Sequence, residues 1–424
     1  MENTQMDSSK GKMRSKLRVA YLLVRFPTLY ETYVYNEIYG LYQNGVEVEV
    51  FSARAAKGGP VHQRAQEVAK LVPVHHSPPI SWTVLMANLY FLIRSPLRYL
   101  RALMWVIGTT YRTPMYMGLA LLLFPKAVYY ARMMRAQGID HIHVHFAWVQ
   151  QIMAVVASRL IGVSNSVTLH AFDLYTQNPA VVRGQLEAAT RLITISDFNR
   201  DFIAGLCPEI ARDDVALVRL SLDMDEFHPS DRGNGTEACQ LLSVGRLVAK
   251  KGYEYLIEAC ALLSQRGLDF HCSIVGEGPC AEKLAALVAE HGLESKVTFT
   301  GALAAGDVRR LYQQSDLFAL PCVVVNSGDR DGMPTVLIEA MATGMPVVST
   351  PVTGIPELVT DGENGFLVPE RDVPALAEAL ETLMRNEDLR TSMGHRARER
   401  VAREFDSRRT APQLASIFRE AACQ

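Results

Sequence analysis

Asp331 and Glu339 stand eight positions apart in DRDGMPTVLIEAMATGMPVVST (329–350), on either side of a Gly-Met-Pro-Thr turn. Carboxylates are seldom buried without a partner. Two of them flanking a glycine turn into an apolar helix suggest a polar ligand. The free N–H groups and positive dipole end of a helix start favour a phosphate. Gly332 lets backbone approach a ligand closely, and Met333, Pro334 and Thr335 complete that entrance. Glu339, about one turn inside the helix, can accept two hydroxyl hydrogens, as from a ribose diol. Asp331, just outside, can meet a sugar hydroxyl or a developing positive charge. On their own, the two acids could equally complement the helix dipole.

A second stretch bears on that choice. In SVGRLVAKKGYEYLIEA (243–259), Arg246 and Lys251 follow a strand pattern and straddle a turn. Two fixed cations near a helix start form a diphosphate clamp. Lys250 could replace Lys251, but Lys251 stands beside Gly252 at the helix entrance. An Arg–Lys pair alone reads as solvated surface. Joined to a helix N-terminus and two carboxylates in one domain, it describes a site for a nucleotide-sugar pyrophosphate.

Three other patterns carry less. GEGPCA (276–281) fits G-x-G-x-x-A between strand and helix. The strand that should end in a ribose-binding acid ends instead in Thr300-Gly301, so NAD is not expected. DRD (329–331) and DMD (223–225) have the D-x-D form of a Mg²⁺ site. Arg246 and Lys251 already supply positive charge, so no cofactor is expected to be required and Mg²⁺ is not expected to be essential. His141, His143 and His145 alternate along a strand. We place His141 and His145 on one face and His143 opposite. That leaves no three-ligand metal site and makes His145 the cleft residue.

Alternating strands and helices must position these groups. Strands are expected at 17–24, 46–51, 141–145, 167–170, 192–196 and 215–219. Tyr30, Val34, Ile38 and Leu41 recur at helical spacing, and Gly45 ends that helix. Further helices are expected at 152–160 and 198–205. A turn-rich stretch at 223–237, with Pro229, Gly233, Asn234 and Gly235, reads as a linker. The pattern then restarts, with strands at 241–244, 271–275, 297–300, 317–320 and 347–349. Its helices fall at 252–266, 280–292, 307–314, 335–343 and 373–385. The fold class is α/β, with two doubly wound Rossmann-like domains facing a cleft. Their expected extents are a tail at 1–16, an acceptor-binding domain at 17–222, the linker at 223–237, a nucleotide-sugar domain at 238–395, and a helix at 396–424 crossing back to the first domain. Ligands of such sheets bind outside the carboxyl ends of strands, where the candidate residues lie.

Bulk composition agrees with a globular protein: 424 residues, 49% hydrophobic and 21% charged. A formal net charge of −2 gives no nucleic-acid footprint. Seven scattered cysteines without a C-x-x-C pair suggest reduced cytosolic thiols. The first sixteen residues lack the apolar core of a signal peptide, and the longest apolar run, 115–124, is too short to span a bilayer. Between Val68 and Ile139 there is no Asp or Glu. The same segment carries Lys70, Arg94, Arg98, Arg101, Arg112, Lys126, Arg132 and Arg135 among aromatic, apolar helices at about 80–137. That pattern is expected to hold the chain on an anionic membrane surface; the alternative is packed helices with solvated arginines.

Taken together, Gly245-Arg246-Leu247 with Lys251-Gly252, IVGEGP (274–279), and acid-Gly-x-Pro with the later Glu339 resemble glycosyltransferase family 4, retaining enzymes of the GT-B fold. TISDFNRDFI (194–203), SLDMDEFHP (221–229) and PVTGIPELVTDGENGFLVP (351–369) are also similar to that family. RFPTLYETYVYNEI (25–38), HIHVHFA (141–147) and LHAFDLY (169–175) resemble its exopolysaccharide branch, of the colanic-acid type. The resemblance covers about residues 17–415.

It implies that Arg246 and Lys251 hold the donor diphosphate and stabilise the leaving nucleotide. Glu339 would bind the ribose, and Asp331, at the first acid of an E-x7-E motif, would face the donor sugar. Gly276 and Glu277 would join residues 332–335 on the donor side. His170 would sit near the reacting centre, with Asp173, His145, Glu31 and Thr32 on the acceptor side. No protein nucleophile is implied; the leaving phosphate would assist same-face attack. The sequence departs from the family twice: aspartate at 331 is one methylene shorter than glutamate, and Tyr30 stands where the branch carries serine. The expected activity is that of a retaining hexosyltransferase. It would move sugar from a UDP- or GDP-sugar to a lipid-linked glycan in exopolysaccharide biosynthesis, in the cytoplasm at the inner membrane face. A nucleotide-sugar epimerase and a non-catalytic subunit of a polysaccharide assembly complex are the competing readings.

Overall fold

The computed structural model describes residues 16–28, 31–54, 63–78, 81–229 and 238–423. Tyr30, Gly233, Asn234 and Gly235 lie outside the described residues. Seven parallel strands form the first sheet: β1 (Arg18–Arg25), β2 (Glu47–Arg54), β3 (Val74–His76), β4 (His141–His145), β5 (Ser164–Leu169), β6 (Arg191–Thr194) and β7 (Val215–Leu217), in the order 3-2-1-4-5-6-7. Six form the second: β8 (Cys239–Val244), β9 (Phe270–Val275), β10 (Val297–Gly301), β11 (Leu317–Leu320), β12 (Val347–Ser349) and β13 (Gly365–Leu367), in the order 10-9-8-11-12-13. Every strand pair is parallel. Helices cover both faces of such sheets, so their strands read as continuous apolar runs. The unforeseen strands, β3 and β13, are three-residue edges, too short for a periodic signal.

Helices follow the strands in turn. On the first sheet they are α1 (Thr32–Gln43), α2 (Gln63–Leu71), α3 (Trp82–Arg94), α4 (Pro96–Thr110), α5 (Pro114–Gln137), α6 (Val149–Ile161), α7 (Phe172–Tyr175), α8 (Pro179–Leu186) and α9 (Asp197–Leu206). On the second they are α10 (Tyr253–Gln265), α11 (Ala281–Glu290), α12 (Ala305–Gln314), α13 (Thr335–Ala342), α14 (Ile355–Leu358), α15 (Val373–Arg385) and α16 (Glu387–Glu404). α16 runs unbroken through position 396, so the return to the first sheet belongs to α17 (Ser407–Ala422). There the Phe418 ring centroid lies 4.8 Å from each of the His141 and His143 rings.

The helices between β3 and β4 bury one side and expose another. On α3, Val84, Ala87 and Phe91 are buried, while Trp82 and Ile93 are 70% and 68% exposed. On α4, Leu97, Leu100 and Met104 point outward beside exposed Arg98 and Arg101. Lys126 departs from the expected basic surface. It is turned inward, donates to the Ala53 carbonyl at 2.7 Å and to the Ser77 carbonyl, and burial pushes its amine down to about 8. Among the described residues, no helix is long and apolar enough to cross a membrane.

Candidate active site

The second sheet reverses its strand order between β8 and β11, the place where such sheets open a crevice. The loops leaving β8, β9 and β11 pack backbone against backbone there. A Cβ at Gly276 would fall 2.0 Å from the Gly245 carbonyl oxygen, and one at Gly252 would fall 1.8 Å from that of Pro321. Both glycines also have positive φ, +139° and +71°. These glycines therefore let three loops close on one another and turn their side chains into one cleft.

The cleft holds about 300 Å³. The second sheet contributes Arg246, Lys251, Gly276, Glu277, Asp331, Thr335 and Glu339, and α1 contributes Thr32 and Asn36. Ala302 and Leu303, just past β10, form an apolar wall. Lys251 Nζ lies 2.9 Å from Asp331 Oδ2, and Lys250 Nζ lies 2.9 Å from Asp329 Oδ1 and 3.7 Å from Asp331 Oδ1. Both acids of the DRD stretch are thus paired with lysines. Burial by itself would raise the Asp331 carboxyl, but Lys251 and Lys250 hold it below its usual range. Arg246 is exposed and makes no ion pair among the described residues.

Glu339 sits in the first turns of α13, and Tyr312 of α12 donates to its Oε2 at 3.0 Å. Burial pushes the Glu339 carboxyl up to about 7 despite that hydrogen bond. Glu226 and Arg309, paired at 2.6 Å, also line the cleft. Glu226 holds Arg64 of α2 as well, tying the first sheet to the second. Sequence reasoning missed Arg309, Tyr312 and Asn36 because each sits on a helix whose pattern reads as ordinary amphipathic packing. Glu226 lay within the quoted SLDMDEFHP stretch without a role.

Several expected site residues stand elsewhere. Gly332, Met333 and Pro334 are buried and do not line the cleft. A Cβ at Gly332 would fall 2.7 Å from the His170 carbonyl oxygen. Its missing side chain admits the loop after β5, not a ligand; only Thr335 of that entrance reaches the cleft. Asp173 is fully buried and accepts N–H groups from Ala147 at 3.0 Å, Ala171 at 3.0 Å and His170 at 3.2 Å. It therefore shapes the loop that carries His170. Burial raises its carboxyl to about 6, although those N–H donors pull the other way. His145 is 2% exposed and sits behind His170, with Nδ1 3.0 Å from His170 Nε2. Glu31 caps the start of α1 through its backbone carbonyl, outside the cleft lining. His170 is 7% exposed at the junction between the two sheets.

The face assignment of the three histidines is corrected. His141, His143 and His145 share one face of β4, because positions i, i+2 and i+4 of a strand always do. Rings of His143 and His145 lie 5.0 Å apart, and Phe418 covers His141 and His143 from the same side.

The two halves also meet through Glu357 of α14. Its carboxylate accepts the N–H groups of Asp197 and Phe198, each at 2.9 Å, and pairs with Arg219 at 2.5 Å. Those amides open α9, where an intrahelical acceptor is lacking. The guanidinium of Arg330 lies 4.8 Å over the Tyr175 ring.

Comparison with known proteins places this geometry. Residues 225–400 match the family model described as glycosyl transferases group 1. The colanic acid biosynthesis glycosyltransferase WcaL of Escherichia coli is 29% identical over a 430-residue alignment that covers 95% of this chain and 99% of the relative. Its Salmonella typhimurium counterpart is 40% identical over 206 residues, 48% of this chain and about half (50%) of that relative. The fold is shared with the crystal structure of Anabaena Alr3699/HepE in complex with UDP, at a TM-score of 0.73 and 16% identity, over 95% of this chain and 100% of that one.

Proposed function

Because residues 225–400 match the group 1 glycosyl transferases and the chain has the two-sheet GT-B fold, we propose that its cleft binds a nucleoside-diphosphate sugar, and that the sugar passes with retention to a lipid-linked glycan in exopolysaccharide assembly. The carrying observation is that Arg246, Lys251, Asp331 and Glu339, brought by different loops and helices, line one cleft. The cations suit a diphosphate. Glu339, beside the apolar wall of Ala302 and Leu303, suits a ribose next to its base. Asp331 suits the sugar. Similarity to a colanic acid biosynthesis glycosyltransferase over 95% of this chain supports a place in exopolysaccharide assembly. Retention is proposed without a protein nucleophile: the diphosphate oxygen on the departing face takes the proton of the attacking hydroxyl.

The setting we propose is the inner face of the cytoplasmic membrane. The exposed apolar faces of α3 and α4, flanked by arginines and free of acids, support it.

Thermal unfolding with UDP, GDP and NAD tests the donor reading. Saturation at about 100 times the dissociation constant adds roughly 2.7 kcal/mol. A rise with UDP or GDP alone is expected; a rise only with NAD, or none, overturns the nucleotide-sugar cleft.

A further inference from the structure

We propose that Glu37, His143 and His145 form a buried binding site for one divalent transition-metal ion of the zinc class, between the first sheet and helices α1 and α17. His143 and His145 project from β4 on one face, and Glu37 reaches them from α1. Glu37 Oε1 lies 3.0 Å from His145 Nε2 and 3.6 Å from His143 Nε2. The three ligand atoms lie within 4.8 Å of one another. Zinc–nitrogen and zinc–oxygen bonds of about 2.0–2.2 Å set tetrahedral ligand atoms roughly 3.3 Å apart, close to the two separations seen. Imidazole and carboxylate together suit zinc and its neighbours in the transition series.

The surrounding hydrogen bonds have the form of an outer shell. The Tyr21 hydroxyl donates to Glu37 Oε1 at 2.5 Å, fixing the carboxylate. A metal on both Nε2 atoms leaves each Nδ1 carrying hydrogen, and metal-bound histidines characteristically donate that hydrogen to a partner. His143 Nδ1 has Ser166 Oγ at 2.7 Å, and His145 Nδ1 has His170 Nε2 at 3.0 Å. The chain runs on without conflict. The Ser166 hydroxyl can donate to His141 Nε2 at 2.7 Å, and His141 Nδ1–H to Ser164 Oγ at 2.7 Å. Directions differ in the metal-free arrangement. There His145 Nε2–H donates to Glu37, so His145 Nδ1 must accept from His170 Nε2–H. The ion therefore decides which nitrogen of His170, at the junction between the sheets, carries the proton: Nδ1 with metal and Nε2 without it.

The test is the metal content of the full chain, produced with added zinc, passed over a chelating resin and measured by elemental mass spectrometry. About one zinc per chain is expected. That zinc should be lost in Glu37→Gln and His143→Gln and kept in His75→Gln, which removes a histidine outside the cluster. If the buried variants fail to fold, the wild-type chain decides by itself. Cobalt(II) in place of zinc should give the visible absorption of a low-coordinate nitrogen–oxygen site, and nitrogen NMR should find the His170 proton on Nδ1. A wild-type chain that retains neither ion, or folded variants that keep full zinc, overturns the proposal; the cluster is then a metal-free hydrogen-bonded network.

Discussion

Lys251 Nζ and Asp331 Oδ2, from loops that leave the adjacent strands β8 and β11, lie 2.9 Å apart inside the cleft. The cation proposed for the donor diphosphate and the acid proposed for its sugar neutralise each other. On that proposal, a diphosphate arriving between Arg246 and Lys251 would compete for the ammonium and free Asp331 to turn to the sugar. Removing one member leaves the other charge largely buried, which costs about 3 kcal/mol. Lys251→Ala is therefore expected to lower stability by roughly that amount in chemical denaturation and to weaken nucleotide binding. Asp331→Ala should keep nucleotide binding and lose turnover; full turnover in that variant refutes the role proposed for Asp331.

Glu339 links the cleft to pH. Its folded-state carboxyl is raised from 4.5 to about 7, so between those values the folded chain holds a proton that the unfolded chain has released. Stability contributed by this group is whole below about 4.5 and lost as pH rises through about 7. Denaturant midpoints across that window should fall more steeply for wild type than for Glu339→Gln. Affinity for UDP or GDP should rise as Glu339 ionises and can accept both ribose hydroxyls. The variant also controls for titration of the nucleotide's own phosphate, and equal pH profiles would remove Glu339 from the ribose.

Gly276→Ala is expected to cost about 3 kcal/mol or more and to abolish the nucleotide-dependent rise in Tm. The added Cβ meets the Gly245 carbonyl at 2.0 Å. Gly267→Ala is the control, since it has φ +75° but nothing within 4 Å. Its cost should stay near 1 kcal/mol, with nucleotide binding intact. Similar losses at both sites would mean that conformation alone, not loop packing, requires glycine at 276.

Glu357→Ala should loosen the two halves. It strips an acceptor from the amides of Asp197 and Phe198 and a partner from Arg219. A larger radius of gyration in small-angle scattering is expected, with a stability loss of about 2 kcal/mol. An unchanged radius would mean that other contacts hold the closure.

Co-sedimentation with anionic vesicles checks the outward faces of α3 and α4. Binding should fall with salt and fall further in a Leu97→Glu, Met104→Glu double variant. No binding at low salt leaves that face without the proposed lipid partner.

Much of the fold was legible because parallel strands covered on both faces leave continuous apolar runs; β11 and β12 lie where the sequence reading puts them. The convergence of Arg246, Lys251, Asp331 and Glu339 was legible for a related reason. In a parallel sheet every loop after a strand opens at the same edge, so loops distant in sequence share one crevice. The shared face of His141, His143 and His145 is also written in their even spacing, since alternate residues of a strand point the same way. Lys126 was less accessible to pattern reading. A lysine that finds two carbonyl acceptors in the interior looks, in sequence, like one on the surface.

The sequence by itself determined that the loops and helix starts carrying Arg246, Lys251, Asp331 and Glu339 open at one sheet edge, since alternating strands and helices place every such loop there. Tertiary structure alone decided their partners: Asp331 with Lys251, Glu339 with Tyr312, Glu357 with the start of α9, and His170 with His145. Those pairings depend on ångström-scale approach between segments far apart in the chain. Charge and periodicity show that such groups exist, and only packing sets the distances at which they act.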